Sequence, residues 1–224
     1  MAPDARVVIA DEKSSPRVPL AAKPYPIEWE KSEALPGIGA LLLRPIRPRD
    51  EQLYEAFLTH VTPEDLRLRF FSARKDLSHE FVARLTQIDY AREMAFVAIT
   101  QSSGEPRGYG VGIESTGELL GVSRLAADPD HERAEYAVMV RSDLKGHGLG
   151  WLLMQHLVAY AKATGIAELF GSVLAENTTM LKMCRELGFE VATEPGMPSE
   201  RHVTLMLGEK ELPPTIAALR PDRG

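Results

Sequence analysis

Short apolar runs that contain β-branched residues alternate along the chain with segments in which apolar residues recur at helical spacing. Runs of the first kind predict strands, and segments of the second kind predict helices. The predicted strands cover residues 40–47, 94–100, 118–126, 133–140, 168–174, 189–193 and 203–207. The predicted helices cover residues 51–58, 63–71, 79–86, 149–163 and 178–187. Strands and helices intermixed in this way predict an α/β (α+β) domain.

Both ends of the chain are rich in proline, which fixes φ and removes a backbone donor. We expect residues 1–38 to form an extended arm or linker that contains a short strand at residues 6–10. The domain boundary is predicted near Ile38, so that the folded domain covers residues 39–211. Residues 212–224 are predicted to be a disordered tail.

The composition excludes several classes of protein. A net charge of -6 and a pI near 5.6 argue against a nucleic-acid partner, which normally requires clustered Lys and Arg. The single cysteine, Cys184, cannot form an internal disulfide, and no Cys/His cluster predicts a metal site. The apolar runs are too short to span a membrane, and the N-terminus lacks the pattern of a secretion signal. We therefore expect a cytoplasmic protein with no metal, nucleic-acid or membrane partner.

A glycine-rich turn, residues 141–150, lies between a predicted strand and a predicted helix. Gly146, Gly148 and Gly150 have no Cβ, so a phosphate can approach the backbone N–H groups at the helix N-terminus. His147 adds a donor and some charge. Glycine spacing alone is equally consistent with a tight strand-to-helix connection. The Gly-Lys-Ser/Thr that follows a Walker turn is not present here.

The turn resembles the acyl-CoA signature of the GNAT acetyltransferase superfamily, which reads Gln or Arg, two residues, Gly, one residue, then Gly or Ala. Lys145 stands at the Gln/Arg position and keeps the charge without planar, bidentate donation. Further along, Asn177 and the pair Gly188-Phe189 match the Asn…Tyr…Gly-Phe segment of the same family. The resemblance implies the GNAT fold, a central mixed and mostly antiparallel sheet flanked by helices, with acetyl-CoA as co-substrate.

The same resemblance implies which residues bind acetyl-CoA. Backbone groups of Met139 and Val140 would pair with the pantetheine arm, and Asn177 and Met180 would line it. The implied acetyl-CoA-binding residues are Met139, Val140, Lys145, Gly146, His147, Gly148, Leu149, Gly150, Asn177 and Met180.

Cys184 stands where many GNAT members have a tyrosine that protonates the leaving CoA thiolate. A free cysteine at a helical position is more often a packed apolar residue, so we expect the thiolate to leave unassisted. A covalent acyl-cysteine intermediate is the weaker alternative, because spacing places no base beside this thiol.

Glu135 is the candidate general base. Acetyl transfer to a lysine needs one, because an amine with a pKa near 10.4 is almost entirely protonated at neutral pH. Strand alternation places Glu135 on one face with Ala137 and Met139, whose apolar character predicts a raised carboxyl pKa. The alternative is a solvated strand carboxylate, for which Arg124 and Arg133 are candidate partners. The strand also resembles that of Pat-type bacterial protein lysine acetyltransferases, in which this Glu is the base.

Residues 65–72 and 43–48 resemble the Pat-type group as well, and residues 6–29 resemble the tail of an ATP-grasp acyl-CoA synthetase module. The implied partner is an acyl-CoA synthetase, acetylated on its active-site lysine by direct attack in a ternary complex. A basic cluster would contact this acidic protein: Arg67, Arg69, Arg74 and Lys75. Two alternatives stay open. A small-amine acetyltransferase predicts an enclosed acidic pocket, and an acyl-CoA sensing module predicts binding without transfer.

Overall fold

Strands and helices follow one another in the structure in the order that the sequence predicts. The computed structural model describes residues 23–71, 78–101, 117–193 and 196–208. The strands are β1 (Lys31–Leu35), β2 (Gly39–Pro45), β3 (Glu93–Thr100), β4 (Leu119–Ala127), β5 (Arg133–Val140), β6 (Glu168–Leu174), β7 (Glu190–Thr193) and β8 (Glu200–Met206). The helices are α1 (Glu51–Thr59), α2 (Pro63–Phe70), α3 (His79–Thr86), α4 (Leu149–Thr164) and α5 (Thr178–Glu186).

All eight strands form one sheet in the order β1-β2-β3-β4-β5-β6-β8-β7. Neighbouring strands are antiparallel except for the central pair β5 and β6, which is parallel. The predicted mixed, mostly antiparallel sheet flanked by helices is confirmed.

The parallel pair is short. β5 pairs with β4 from Ala134 to Val140 but with β6 only from Arg133 to Glu135. Beyond Glu135 the two strands separate. On its other edge, β6 pairs with β8 in antiparallel orientation along its whole length. The sheet therefore opens into a V-shaped cleft between the C-terminal halves of β5 and β6.

Two helical layers cover the sheet. Met154, Leu157 and Tyr160 of α4 pack with Leu181 of α5 against one face. Helices α1, α2 and α3 pack against the other face, together with the side chain of Met139. Each layer buries apolar area that stabilises the sheet by roughly 25 cal/mol per Å². Within the described residues, no helix is long and apolar enough to cross a membrane.

The structure adds a strand that the sequence pattern does not predict. β1 pairs along its whole length with β2, and the Trp29 ring just before it packs against Tyr160 at 5.0 Å between centroids. Most side chains of β1 are polar or exposed, so the strand depends on backbone pairing and carries no apolar alternation. The folded part of the chain therefore extends to the N-terminal side of the predicted boundary near Ile38. The strand predicted at residues 6–10 lies outside the described residues.

A buried ion pair fixes the connection between β2 and α1. The side chains of Arg44 and Asp50 are 1% and 2% exposed, and both terminal nitrogens of Arg44 donate to the carboxylate at 2.7 Å. The Asp50 carboxylate also accepts from the backbone N–H of Arg47 at 2.7 Å. Asp50 thus precedes α1 at the expected N-cap position, but its side chain does not cap the helix.

We expect Asp50→Asn to lower the free energy of unfolding by about 3–5 kcal/mol, because it leaves a buried guanidinium without its counter-charge. The measurement is urea unfolding followed by circular dichroism. Glu186→Gln is the control, because its partner Lys182 is 3.8 Å away and both side chains are exposed. That change should cost at most about 0.5 kcal/mol. Equal losses in the two variants would contradict the expectation.

Candidate active site

The candidate site lies at the cleft between β5 and β6. The glycine-rich turn follows β5, the N-terminus of α5 follows β6, and α2 lies beside both. Each predicted site residue is on one of these elements, so the fold brings them to one end of the sheet.

The C-terminal half of β5 presents a free backbone edge to the cleft. Met139 and Val140 pair with Val122 and Gly121 of β4 on one side. On the other side, β6 pairs with no residue of β5 beyond Glu135. An extended ligand with amide groups can hydrogen-bond to this edge as a further strand would. The pantetheine arm of CoA has that chemistry, and the predicted role of Met139 and Val140 is consistent with it.

The glycine-rich turn has the geometry of an anion site. Gly146 and Gly148 have φ angles of 81° and 82°, in the left-handed region that favours glycine. Gly148 is the N-cap of the 16-residue helix α4 and has no side-chain cap. Among the described residues, no partner accepts a hydrogen bond from the N–H groups of Gly148, Leu149 or Gly150. These donors and the helix dipole favour a phosphate group.

Lys145 is already engaged with another part of the chain. Its ammonium group pairs with the carboxylate of Asp65 on α2, which also accepts from the Ser142 hydroxyl. Partial burial raises the pKa of the Asp65 carboxyl, but the hydrogen bonds from Lys145 and Ser142 outweigh it and leave that pKa below its ordinary value. Phosphate binding at this turn therefore depends mainly on backbone donors. The exposed ring of His147 lies 3.1 Å from the Lys145 carbonyl oxygen.

Asn177 and Met180 lie on the opposite side of the cleft. Asn177 is the N-cap of α5, and its Oδ1 accepts from the Met180 N–H at 3.1 Å. The side-chain amide nitrogen of Asn177 has no hydrogen bond among the described residues and remains available to a ligand. The preceding residue, Glu176, forms an ion pair at 2.5 Å with Arg67 of α2. This contact joins α2 to the β6 side of the cleft.

Glu135 ends the paired part of β5, opposite Phe170 of β6. It lies on the same sheet face as Met139, as alternation predicts, but its side chain is exposed. The expected apolar surroundings are therefore wrong. Strand alternation predicts the sheet face on which Glu135 lies. Because β5 and β6 separate at this residue, that face is exposed here.

The exposed side chain of Glu135 agrees with the alternative of a solvated carboxylate, but neither candidate arginine pairs with it among the described residues. Arg124 pairs with Glu93 at 3.3 Å, and Arg133 pairs with Glu168 at 2.6 Å. The Glu135 carboxylate is exposed at the mouth of the cleft and forms no ion pair within the described residues, although its charge acts on Arg69 at longer range.

A shallow, partly open groove runs along the face that carries Glu135. Its floor is β5 at residues 137–139, and its walls include Arg69 and Phe70 of α2 and Arg124 of β4. The sequence pattern alone did not lead us to predict that Arg124 lines this groove. The register of the β4–β5 hairpin would have indicated it, because that register places Arg124 opposite Ala137.

Cys184 is fully buried, as expected of a packed helix residue. Its Sγ lies 3.1 Å from the Tyr136 hydroxyl, and burial raises the pKa of the thiol. No base contacts it within the described residues, so the geometry offers no way to form a thiolate nucleophile. Across those same residues, no group of three or more His, Cys, Asp or Glu side chains could hold a metal ion.

We expect Gly148→Ala to weaken CoA binding about ten- to a hundredfold, because a Cβ at this φ shifts the donors that face the anion. Calorimetric titration with CoA measures the effect. Gly208→Ala is the matched control, because Gly208 also has a left-handed φ of 83°, a Cβ there would meet nothing within 4 Å, and the residue lies outside the glycine-rich turn. Equal affinities of the two variants would contradict phosphate binding at the left-handed turn.

Comparison with known proteins agrees with this geometry. The acetyltransferase (GNAT) family model matches residues 65–189. An acetyltransferase of Pseudomonas aeruginosa is 32% identical over 155 residues, covering 69% of this chain and 77% of that protein. The L-methionine sulfoximine/L-methionine sulfone acetyltransferase of the same species is 29% identical over 140 residues, which cover 59% of this chain and 80% of the relative.

Among solved structures, the GNAT domain of S. lividans PAT superposes on this chain with a TM-score of 0.68. The two are 24% identical, and the match covers 82% of this chain and 99% of that domain. This likeness shows that the fold is shared. The chain belongs to the GNAT acetyltransferase family and is an acetyl-CoA-dependent acetyltransferase.

Proposed function

We propose that the chain transfers the acetyl group to a lysine side chain of a protein such as an acyl-CoA synthetase, in a ternary complex with Glu135 as general base. The observation that carries this proposal is the Glu135 carboxylate, exposed and without an ion pair where β5 and β6 separate. Its position on the strand that offers a free edge to acetyl-CoA brings base and thioester together. The resemblance of β5 and of residues 65–72 to the Pat-type protein lysine acetyltransferases supports a protein acceptor.

The chemistry requires a base at this place. At pH 7 about one lysine amine in 2,500 is neutral, given its ordinary pKa near 10.4. Glu135 takes a proton from the incoming ammonium group, directly or through a water molecule, and the neutral amine attacks the thioester carbonyl carbon. The carbon–sulfur bond then breaks, CoA leaves as a thiolate, and the nitrogen loses its second proton to solvent, which gives the neutral amide. The proton on Glu135 returns to solvent, so that the products are the acetylated amine and CoA.

The shape and charge of the groove beside Glu135 indicate which kind of acceptor it favours. An enclosed acidic pocket would favour a small cationic amine, but this groove is open and two of its walls carry arginines. An open groove admits a lysine side chain that projects from a protein surface. The second candidate is acetylation of a small molecule, which the name of the L-methionine sulfoximine/L-methionine sulfone relative favours. A sensing module that never transfers has no need of an unpaired carboxylate at the thioester.

The test of the proposed function incubates the protein with labelled acetyl-CoA, a panel of acyl-CoA synthetases and a panel of small amines. Mass spectrometry then locates the acetyl group. We expect acetylation of a synthetase lysine. Transfer only to small amines would support the second candidate, and CoA binding without any transfer would support a sensing module.

We expect Glu135→Gln to lower kcat by about 10²- to 10⁴-fold, the usual contribution of a positioned general base. CoA affinity, measured by calorimetry, should not change, because Glu135 does not contact the glycine-rich turn. Glu132→Gln is the control, since Glu132 is an exposed carboxylate just before the same strand. Unchanged turnover in Glu135→Gln would exclude the proposed base.

We expect Cys184→Ala to keep the turnover of the natural sequence, because the thiolate of CoA leaves without an acid from this position. The free energy of unfolding should fall by about 1–3 kcal/mol, since the buried Tyr136 hydroxyl loses its sulfur partner. Steady-state kinetics and urea unfolding separate the two effects. Cys184→Ser keeps a hydrogen-bonding group and should restore part of the stability. A large loss of kcat at full stability would assign Cys184 a chemical role.

A further inference from the structure

The groove beside Glu135 carries a positive charge on Arg69, which forms no ion pair within the part of the chain that the structure describes. The guanidinium carbon of Arg69 lies 4.8 Å from the centroid of the Phe70 ring. No hydrogen bond or ion pair to Arg69 is present among the described residues. Partial burial lowers the pKa of the guanidinium from its ordinary value, and the charge of the Glu135 carboxylate offsets this effect only in part.

Neighbouring cations of the site have partners. Arg67, two residues earlier on α2, pairs with Glu64 at 2.8 Å and with Glu176 at 2.5 Å. Lys145 pairs with Asp65. Acids outnumber Lys and Arg in the sequence, 32 to 26, so a scarcity of carboxylates does not explain the exception. The position of Arg69 explains the exception. Arg69 lies in the wall of the groove, so its charge faces a ligand that enters the groove.

A second arginine lies in the same groove and is held in place. Arg124 donates to the Leu85 carbonyl oxygen at 3.1 and 3.0 Å from its two terminal nitrogens, and one of these also lies 3.3 Å from Glu93. The β4–β5 register places it opposite Ala137, two residues beyond Glu135 on the same face. Two guanidinium groups thus line a groove that opens beside the general base.

We propose that Arg69 and Arg124 bind a carboxylate of the acceptor, so that the enzyme selects amines that carry a carboxylate close by. Planar guanidinium groups hold carboxylates by paired, charge-assisted hydrogen bonds. With the carboxylate at these arginines, the amine of the same molecule lies toward Glu135 and the free edge of β5. The inference rests on the proposed amine acetylation and specifies its substrate class.

Two kinds of acceptor present this chemistry. One is a free amino acid, whose α-carboxylate lies beside its amine. The other is a protein lysine that follows an Asp or Glu. Both place a carboxylate within reach of the same groove, and matched pairs of probes distinguish them.

The test measures binding to the CoA-loaded protein by calorimetry at low chloride. N-acetyl-Asp-Lys-amide is compared with N-acetyl-Asn-Lys-amide, and L-norleucine with L-norleucinamide. We expect the carboxylate member of at least one pair to bind about ten- to a hundredfold more tightly than its amide. The first pair reports an acidic neighbour of a protein lysine, and the second reports an α-carboxylate.

Arg69→Gln should reduce this preference to near one, and Arg69→Lys should keep part of it. Arg69 forms no hydrogen bond or ion pair among the described residues, so its replacement loses the contact with the Phe70 ring and should lower thermal stability only slightly. Arg84→Gln is the matched control, because Arg84 is an exposed arginine on the neighbouring helix α3. It should retain the full preference.

Equal binding within both pairs, or a preference that survives Arg69→Gln, would overturn the carboxylate site. Because CoA carries no acetyl group, this result is independent of turnover. If no amine is acetylated in the assay of the proposed function, that function fails while the binding comparison still decides the carboxylate site. If a protein lysine is acetylated but the probes show no carboxylate preference, only the carboxylate site fails.

Discussion

Backbone hydrogen bonding in the middle of the sheet governs the rest of the structure. A strand inside a sheet normally satisfies both of its edges, because unpaired N–H and C=O groups are costly when buried. β5 satisfies one edge fully through β4 and the other through only three residue pairs with β6. The separation after Glu135 leaves free the backbone groups that we propose bind acetyl-CoA. It also leaves the Glu135 carboxylate open to an acceptor.

Helix α2 connects the two sides of this opening. Asp65 joins it to Ser142 and Lys145 of the glycine-rich turn, and Arg67 joins it to Glu176 before α5. The same helix contributes Arg69 to the groove. A single short element therefore touches the anion-binding turn, the far wall of the cleft and the acceptor groove. Any shift of α2 changes all three together.

The sequence predicts the elements of the fold well where the determinants are local. The Gly146–Gly150 spacing and the N-cap residue Asn177 mark turns whose conformation depends on a few neighbouring residues. Contacts between distant parts of the chain are different. The pairing of Lys145 with Asp65 joins residues 80 positions apart, and no local pattern contains it. Lys145 therefore looked free to bind phosphate.

The same reason explains the errors at Glu135 and β1. Alternation gave the face of Glu135, but its exposure depends on where β6 leaves β5. β1 lacks an apolar stripe, since backbone pairing with β2 is what holds it. That Arg69 forms no ion pair within the described residues depends on where acids from distant parts of the chain lie, and no local pattern contains this information. The resemblance to a family indicates acetyl transfer. The groove that we propose binds the acceptor is visible only from contacts between distant parts of the chain.

The pairing of β1 with β2 has a consequence for how the domain can be cut from its surroundings. A fragment that began at the predicted boundary would lose β1 and leave β2 as an edge strand. The backbone of β2 would then be free along Leu41 and Leu43, whose side chains are fully buried. Exposed, apolar strand edges recruit other strands and cause aggregation. Poor solubility of such a fragment would reflect a missing neighbour rather than an unstable core.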